Sequence, residues 1–129
     1  MSAADDSNAW TGLESAMLAL GRVALLVDDD FRVVRATTTM DELVCEHAST
    51  RVVGRSLETV FGVELLGADS ASRRALSHGE RVEGRRAFLH CPNIGTRLVS
   101  LSMAALSQPS PFQPAARFLL VARPADDVP

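Results

Sequence analysis

The spacing of apolar residues changes several times along the chain, and each change marks an element. Trp10, Leu13, Met17 and Leu20 recur at helical spacing, with Thr11, Glu14 and Ser15 elsewhere on the wheel. A polar leader ending in Ser7 and Asn8, both good helix caps, precedes this stripe, and Gly21 supplies the stop expected just past a helix end. An amphipathic helix must lay its stripe on something, either its own domain or a second copy across a two-fold axis. The run Val23–Val27 is continuously apolar and is followed by Asp28, Asp29 and Asp30. A second run over 31–36 places Val33 and Val34 between Arg32 and Arg35, and the two runs predict a β-hairpin around the aspartates.

From 38 to 48 the period becomes helical, with Met40, Leu43 and Val44 on one side and Asp41, Glu42 and Glu46 on the other. Thr38 or Thr39 is its predicted cap. Gly54 allows a tight turn, and Ser56 caps a further short turn. The stretch 57–66 holds Leu57, Val60, Phe61, Val63, Leu65 and Leu66, too irregular for a long helix and too apolar for an exposed loop. Asp69 or Ser70 caps another helix that runs through Ser77 and stops near Gly79.

After Gly79 the pattern predicts three strands, over 81–90, 97–106 and 116–123. The last, with Phe118, Leu119, Leu120 and Val121 in succession, is apolar on both faces and therefore central. Pro92-Asn93-Ile94-Gly95 is a turn, and the loop over 107–114 is stiffened by Pro109, Pro111 and Pro114. This order predicts an α+β fold with a five-stranded antiparallel sheet, short helices on one face and an N-terminal amphipathic helix. Residues 1–21 form the leader and cap helix, 22–124 the domain, and 125–129 a linker or tail. A pocket for a small ligand is expected between sheet and helices.

Composition narrows the function. One domain fits 129 residues of which 47% are hydrophobic and 22% charged. A net charge of −3 argues against a nucleic-acid surface, which needs a basic face. All 13 basic residues are arginine, as GC-rich coding would give. Two cysteines, Cys45 and Cys91, are too few for a secreted disulfide framework. The acidic N-terminus lacks a signal sequence, and no apolar run approaches the ~18 residues that span a bilayer, so a cytoplasmic location is expected. The three aspartates lack the alternating ligands, central Gly and distal Glu of a calcium loop, and a solvated hairpin turn accounts for them.

With these elements in place the chain resembles a PAS domain. The hairpin over 23–36 resembles that family's opening strand pair. Arg51-Val52-Val53-Gly54-Arg55-Ser56-Leu57 resembles its "hGrsl" segment, where h is apolar. Ala75-Leu76-Ser77-His78-Gly79-Glu80-Arg81-Val82-Glu83 resembles its "al..Ge.ve" passage from helix to third strand, and Gly95-Thr96-Arg97-Leu98-Val99-Ser100-Leu101-Ser102 its fourth strand. The sequence departs from the family at Thr37-Thr38-Thr39, where an Asn is common. It departs again at Ile94-Gly95, often Asp-Gly, and at Arg123-Pro124-Ala125-Asp126, where a closing Asp-Ile-Thr usually couples to a downstream helix. The resemblance implies a non-enzymatic sensory or interaction module that acts on an effector, a kinase or a transcription regulator, in the same protein or in trans.

The resemblance also raises cofactors. Haem would need an axial His on the helical side, so His47 and His78 are the candidates, and Cys91-Pro92 resembles a thiolate-donating Cys-Pro pair. Solvated histidines and a turn proline explain these residues more simply. His90 and Cys91 are adjacent on a strand and point to opposite faces, so they do not share a metal. Cys45 lacks the "NCRFLQ"-like surroundings of flavin photosensors and reads as a small buried hydrophobe. No cofactor and no metal site is therefore assigned, and no catalytic motif is present. A cone-shaped fold resembling ketosteroid isomerase would supply an enzyme reading, but its oxyanion hole needs a Tyr and the chain has none.

The candidate pocket residues are Met40, Leu43, Val44, Phe61, Leu65 and Leu76 on the helical side, facing Leu98, Ser100, Phe118 and Leu120 on the sheet. The inward parity of the fourth strand stays open, because Leu101 and Met103 fit the other register. Three functions follow: a sensor of a small apolar ligand that signals through dimer packing, a ligand-free homodimerisation module built on Trp10, Leu13, Met17 and Leu20, and a haem sensor.

Overall fold

The computed structural model describes residues 3–62, 66–67, 69–91, 95–108 and 113–125, with the backbone alone for 3–8, 90 and 91. Helix α1 (Ala3–Leu20) begins earlier than Ser7 and Asn8 suggest, so both lie within it. It ends at Gly21, whose φ of 65° suits glycine, where Arg22 N–H returns to the Met17 carbonyl at 2.8 Å. Strands β1 (Val23–Val27) and β2 (Val33–Ala36) form the hairpin. Four short helices follow among the described residues: α2 (Thr39–Leu43), α3 (Ala48–Arg51), α4 (Leu57–Phe61) and α5 (Ala71–Ser77). Strands β3 (Val82–Cys91), β4 (Gly95–Ala105) and β5 (Phe118–Pro124) complete one sheet in the order β2-β1-β5-β4-β3, every pairing antiparallel. Among the described residues no helix is long and apolar enough to cross a membrane.

The acidic turn is explained by its own hydrogen bonds. One Asp28 oxygen accepts the N–H groups of Asp30 at 2.9 Å and Arg32 at 3.0 Å, as an Asx turn does. Where the sequence predicts one helix over 38–48, the structure has two with a break at Val44–His47. Arg97 on β4 donates to the Val44 carbonyl at 2.9 Å, while Asp41 accepts both the N–H and the hydroxyl of Ser49 at 2.8 Å. These contacts fold α3 back beneath α2, and His47 absorbs the turn in the left-handed region, φ 62°. Ser56 and Ser70 do cap α4 and α5, accepting from Thr59 N–H and Arg73 N–H.

Both faces of the sheet are covered near β1, which is why all five of its residues are buried. On one face Val23, Leu25 and Val27 join Met40, Leu57, Val60, Phe61 and Leu76 from the helices and Leu66 from between α4 and α5. On the other, α1 lays Trp10 and Leu13 over Leu26, Val34 and Leu119, and Met17 is also buried. Arg35 sits 4.0 Å above the Trp10 ring, and Glu14 accepts the Thr38 N–H at 2.6 Å, which fixes the helix lengthwise.

On β4 the side chains facing the helices are Val99, Leu101 and Met103, opposite Ala122 and Leu120 of β5. Leu98 and Ser100 therefore point to the outer face, a correction to their expected place in a pocket. The reason is coverage: the outer surface of β4 is only half-buried, so small polar Ser100 and Ser102 are tolerated there.

Candidate functional site

The residues expected to line a pocket mostly close the core instead. Met40, Val44, Phe61, Leu76 and Leu120 are buried in one continuous cluster, with Leu43 and Phe118 packed against it. Leu65 lies outside the described residues. Phe118 stacks on Phe31, centroids 4.7 Å apart, and the Arg73 guanidinium lies over the Phe31 ring, 4.4 Å from its centroid.

One cleft lies to the side of this core, between α3, α4 and β3. This cleft of about 300 Å³ is lined by Cys45, Ala48, Arg51, Val52, Arg55, Thr59, Val60 and Leu89. That volume is at the small end of the range for small-molecule sites. Ala48, Val52, Val60 and Leu89 form buried apolar walls, and Cys45 adds a buried thiol.

Its arginines are placed by the segment between α3 and α4, which is zipped onto β2. Gly54 N–H donates to the Val33 carbonyl at 2.7 Å, Val33 N–H to Arg55 at 2.9 Å, and Leu57 N–H to Phe31 at 2.8 Å. Gly54 makes the turn with a φ of 87°. Arg51 then reaches Cys45 Sγ at 3.4 Å and the Glu46 carbonyl at 3.2 Å. Arg55 Nε donates to the Arg51 carbonyl at 2.9 Å.

None of these lining residues was singled out for the pocket from sequence. In the sequence Arg51, Val52 and Arg55 read as part of the segment resembling "hGrsl", and Cys45 as a small buried hydrophobe. An arginine pair four residues apart, flanking Val52 and followed by a helix cap, was the available signal.

Neither histidine whose side chain is described is among the residues lining the cleft. His47 is exposed, its Nε2 3.5 Å from a Glu46 carboxylate oxygen, and His78 is exposed at the end of α5, its Nδ1 2.8 Å from the Arg74 carbonyl. The His90 and Cys91 side chains and Pro92 fall outside the described residues. The carboxylate oxygens of Asp28, Asp29 and Asp30 lie within 4.8 Å of one another, and Asp28 is already engaged in the turn. Of the dimer candidates, Trp10 and Met17 are buried and Leu13 half-buried within this chain, whereas Leu20 is 61% exposed.

No protein-family model matches the sequence, and no curated protein matches it. Solved structures do. The PAS domain of an HTR-like protein from Haloarcula marismortui superposes with a TM-score of 0.66 at 16% identity, over 92% of this chain and 93% of that one. A light-oxygen-voltage domain studied with a flavin analogue gives 0.64 at 20% identity, over 90% and 86%. The PAS domain, in complex with ethanol, of a LuxR-family transcriptional regulator from Burkholderia thailandensis gives 0.59 at 15% identity, over 88% and 96%. Strand order, the helices on one face and these superpositions agree that the chain has the PAS fold.

Proposed function

We propose that the chain is a non-catalytic regulatory sensor domain, acting in the cytoplasm, whose side cleft takes a small, largely apolar molecule. The observation that carries this reading is the cleft of about 300 Å³, walled by Ala48, Val52, Val60 and Leu89, in a domain of PAS fold. The ethanol-bound Burkholderia neighbour supports a small ligand. An effector of kinase or transcription-regulator type, on the same protein or in trans, is supported by that neighbour and by the Erythrobacter litoralis blue-light activated histidine kinase. Occupancy would act by favouring one of two packings of α1 or β5, since a ligand shifts only an equilibrium whose states it binds unequally. Native mass spectrometry of the purified protein beside its denatured mass tests this. Extra mass lost on denaturation supports a sensor. A bare mass, with no stabilisation by millimolar alcohols or short-chain acids, overturns it.

A second reading, a homodimeric interaction module, is favoured by exposed apolar side chains. Leu18 and Leu20 on α1 are 57% and 61% exposed, and Phe88, opposite Leu98 on the outer face, is 62% exposed. Leu20→Glu and Phe88→Glu are the informative variants, because charges at Leu13 or Met17 would dislodge α1 from its own sheet. A wild-type dimer that these variants turn into folded monomer supports the module, and a wild-type monomer rejects it.

A further inference from the structure

The cleft has apolar walls but a basic rim, and the rim narrows what can enter. Arg51 and Arg55 both line it. Arg51 uses one terminal nitrogen, on Cys45 Sγ and the Glu46 carbonyl, and Arg55 uses its Nε, on the Arg51 carbonyl. Their remaining N–H groups have no partner among the described residues. Neither guanidinium is paired with an acid there: among the described residues the arginine–carboxylate pair is Arg81 with Glu83. The nearby acid Asp41 has both oxygens on Ser49.

Unpaired arginines beside an apolar cavity are a mismatch that one kind of ligand resolves. A guanidinium offers a planar fork of donors that fits a carboxylate with two parallel hydrogen bonds. A cation would be repelled, and a neutral molecule would leave the donors unused. A nucleotide's sugar and base would find few polar partners on walls of Ala48, Val52, Val60 and Leu89. We infer that the cleft takes an amphipathic carboxylic acid, a short fatty or aromatic acid. Its head is held by Arg51 and Arg55, and its body lies against Val52, Val60 and Leu89. This rests on the sensor reading above and names its ligand class.

The test compares two probes with the same tail, octanoate and octan-1-ol, by isothermal titration calorimetry at low salt. Octanoate is expected to bind about tenfold more tightly, the order of one charge-assisted contact, and to lose that margin as salt is raised. Arg51→Gln and Arg55→Gln should each weaken octanoate toward the alcohol and leave octan-1-ol unchanged, while Arg51→Lys keeps part of the margin. Arg55 is exposed, so its variant stays informative even where Arg51→Gln fails to fold. Equal affinity for the two probes overturns acid recognition and leaves the sensor reading standing. Binding of neither probe up to its solubility overturns both.

Discussion

The ring of Phe31 lies on that of Phe118 with centroids 4.7 Å apart and planes 28° from parallel, although the Phe31 backbone sits at a φ of 60°. A bulky residue in the left-handed region is strained by roughly 1–2 kcal/mol, and packing of a buried ring offsets that cost. Phe31→Ala should therefore lose about 3 kcal/mol on chemical denaturation. Phe31→Gly should be no less stable than Phe31→Ala, since glycine relieves the backbone. If glycine is clearly the worse of the two, the strain argument is wrong.

Thr37 joins the start of the helical layer to the sheet. Its fully buried hydroxyl oxygen accepts the Ala24 N–H at 3.0 Å and lies 2.7 Å from the Thr39 hydroxyl. Thr37→Val keeps the shape but strands that buried N–H, and should cost about 2 kcal/mol in a denaturant titration. Thr37→Ser, which keeps the oxygen, should recover most of the loss.

Trp10, the one tryptophan, reports directly on the docking of α1. Arg35→Gln removes the cation above its ring and should cost roughly 0.5 kcal/mol, with a small red shift in emission. Adding Glu14→Ala, which removes the acceptor for Thr38 N–H, should enlarge the shift while far-ultraviolet dichroism stays near native. A native emission maximum in the double variant would mean that Leu13 and Met17 hold the helix unaided.

Ser72 on α5 is buried, and its hydroxyl has no partner among the described residues. Burying an unpaired hydroxyl costs free energy, so Ser72→Ala should be neutral or stabilise by up to about 1 kcal/mol. A clear drop in thermal midpoint would show that the hydroxyl is satisfied.

Much of the sheet was legible because its apolar runs are bounded by strong turn residues. Val23–Val27 ends at the aspartates, and the stretch from Phe118 to Val121 follows a proline-rich loop. Parity on β4 was not legible: Leu98 is apolar like Val99, and alternation alone does not say which set meets the helices. The break between α2 and α3 was hidden for another reason. It depends on Arg97 reaching Val44 and Asp41 reaching Ser49, contacts that no local period records. The cleft was the least visible feature, since it joins Leu89 of β3 to residues of α3 and α4 far away in sequence.

The pairing of β1 with β5 sets how the domain bears mechanical load. Chain enters β1 at Val23 and leaves β5 beside Ala122, its partner, so the flanking segments emerge at one end of two adjacent antiparallel strands. Tension applied through those segments would peel the rungs in turn, from Val23–Ala122 toward Val27–Phe118, rather than shear them together. Opposing that unzipping from the outer face is α1, clamped at Trp10 and Arg35, which makes this clamp a tether that yields before the sheet does.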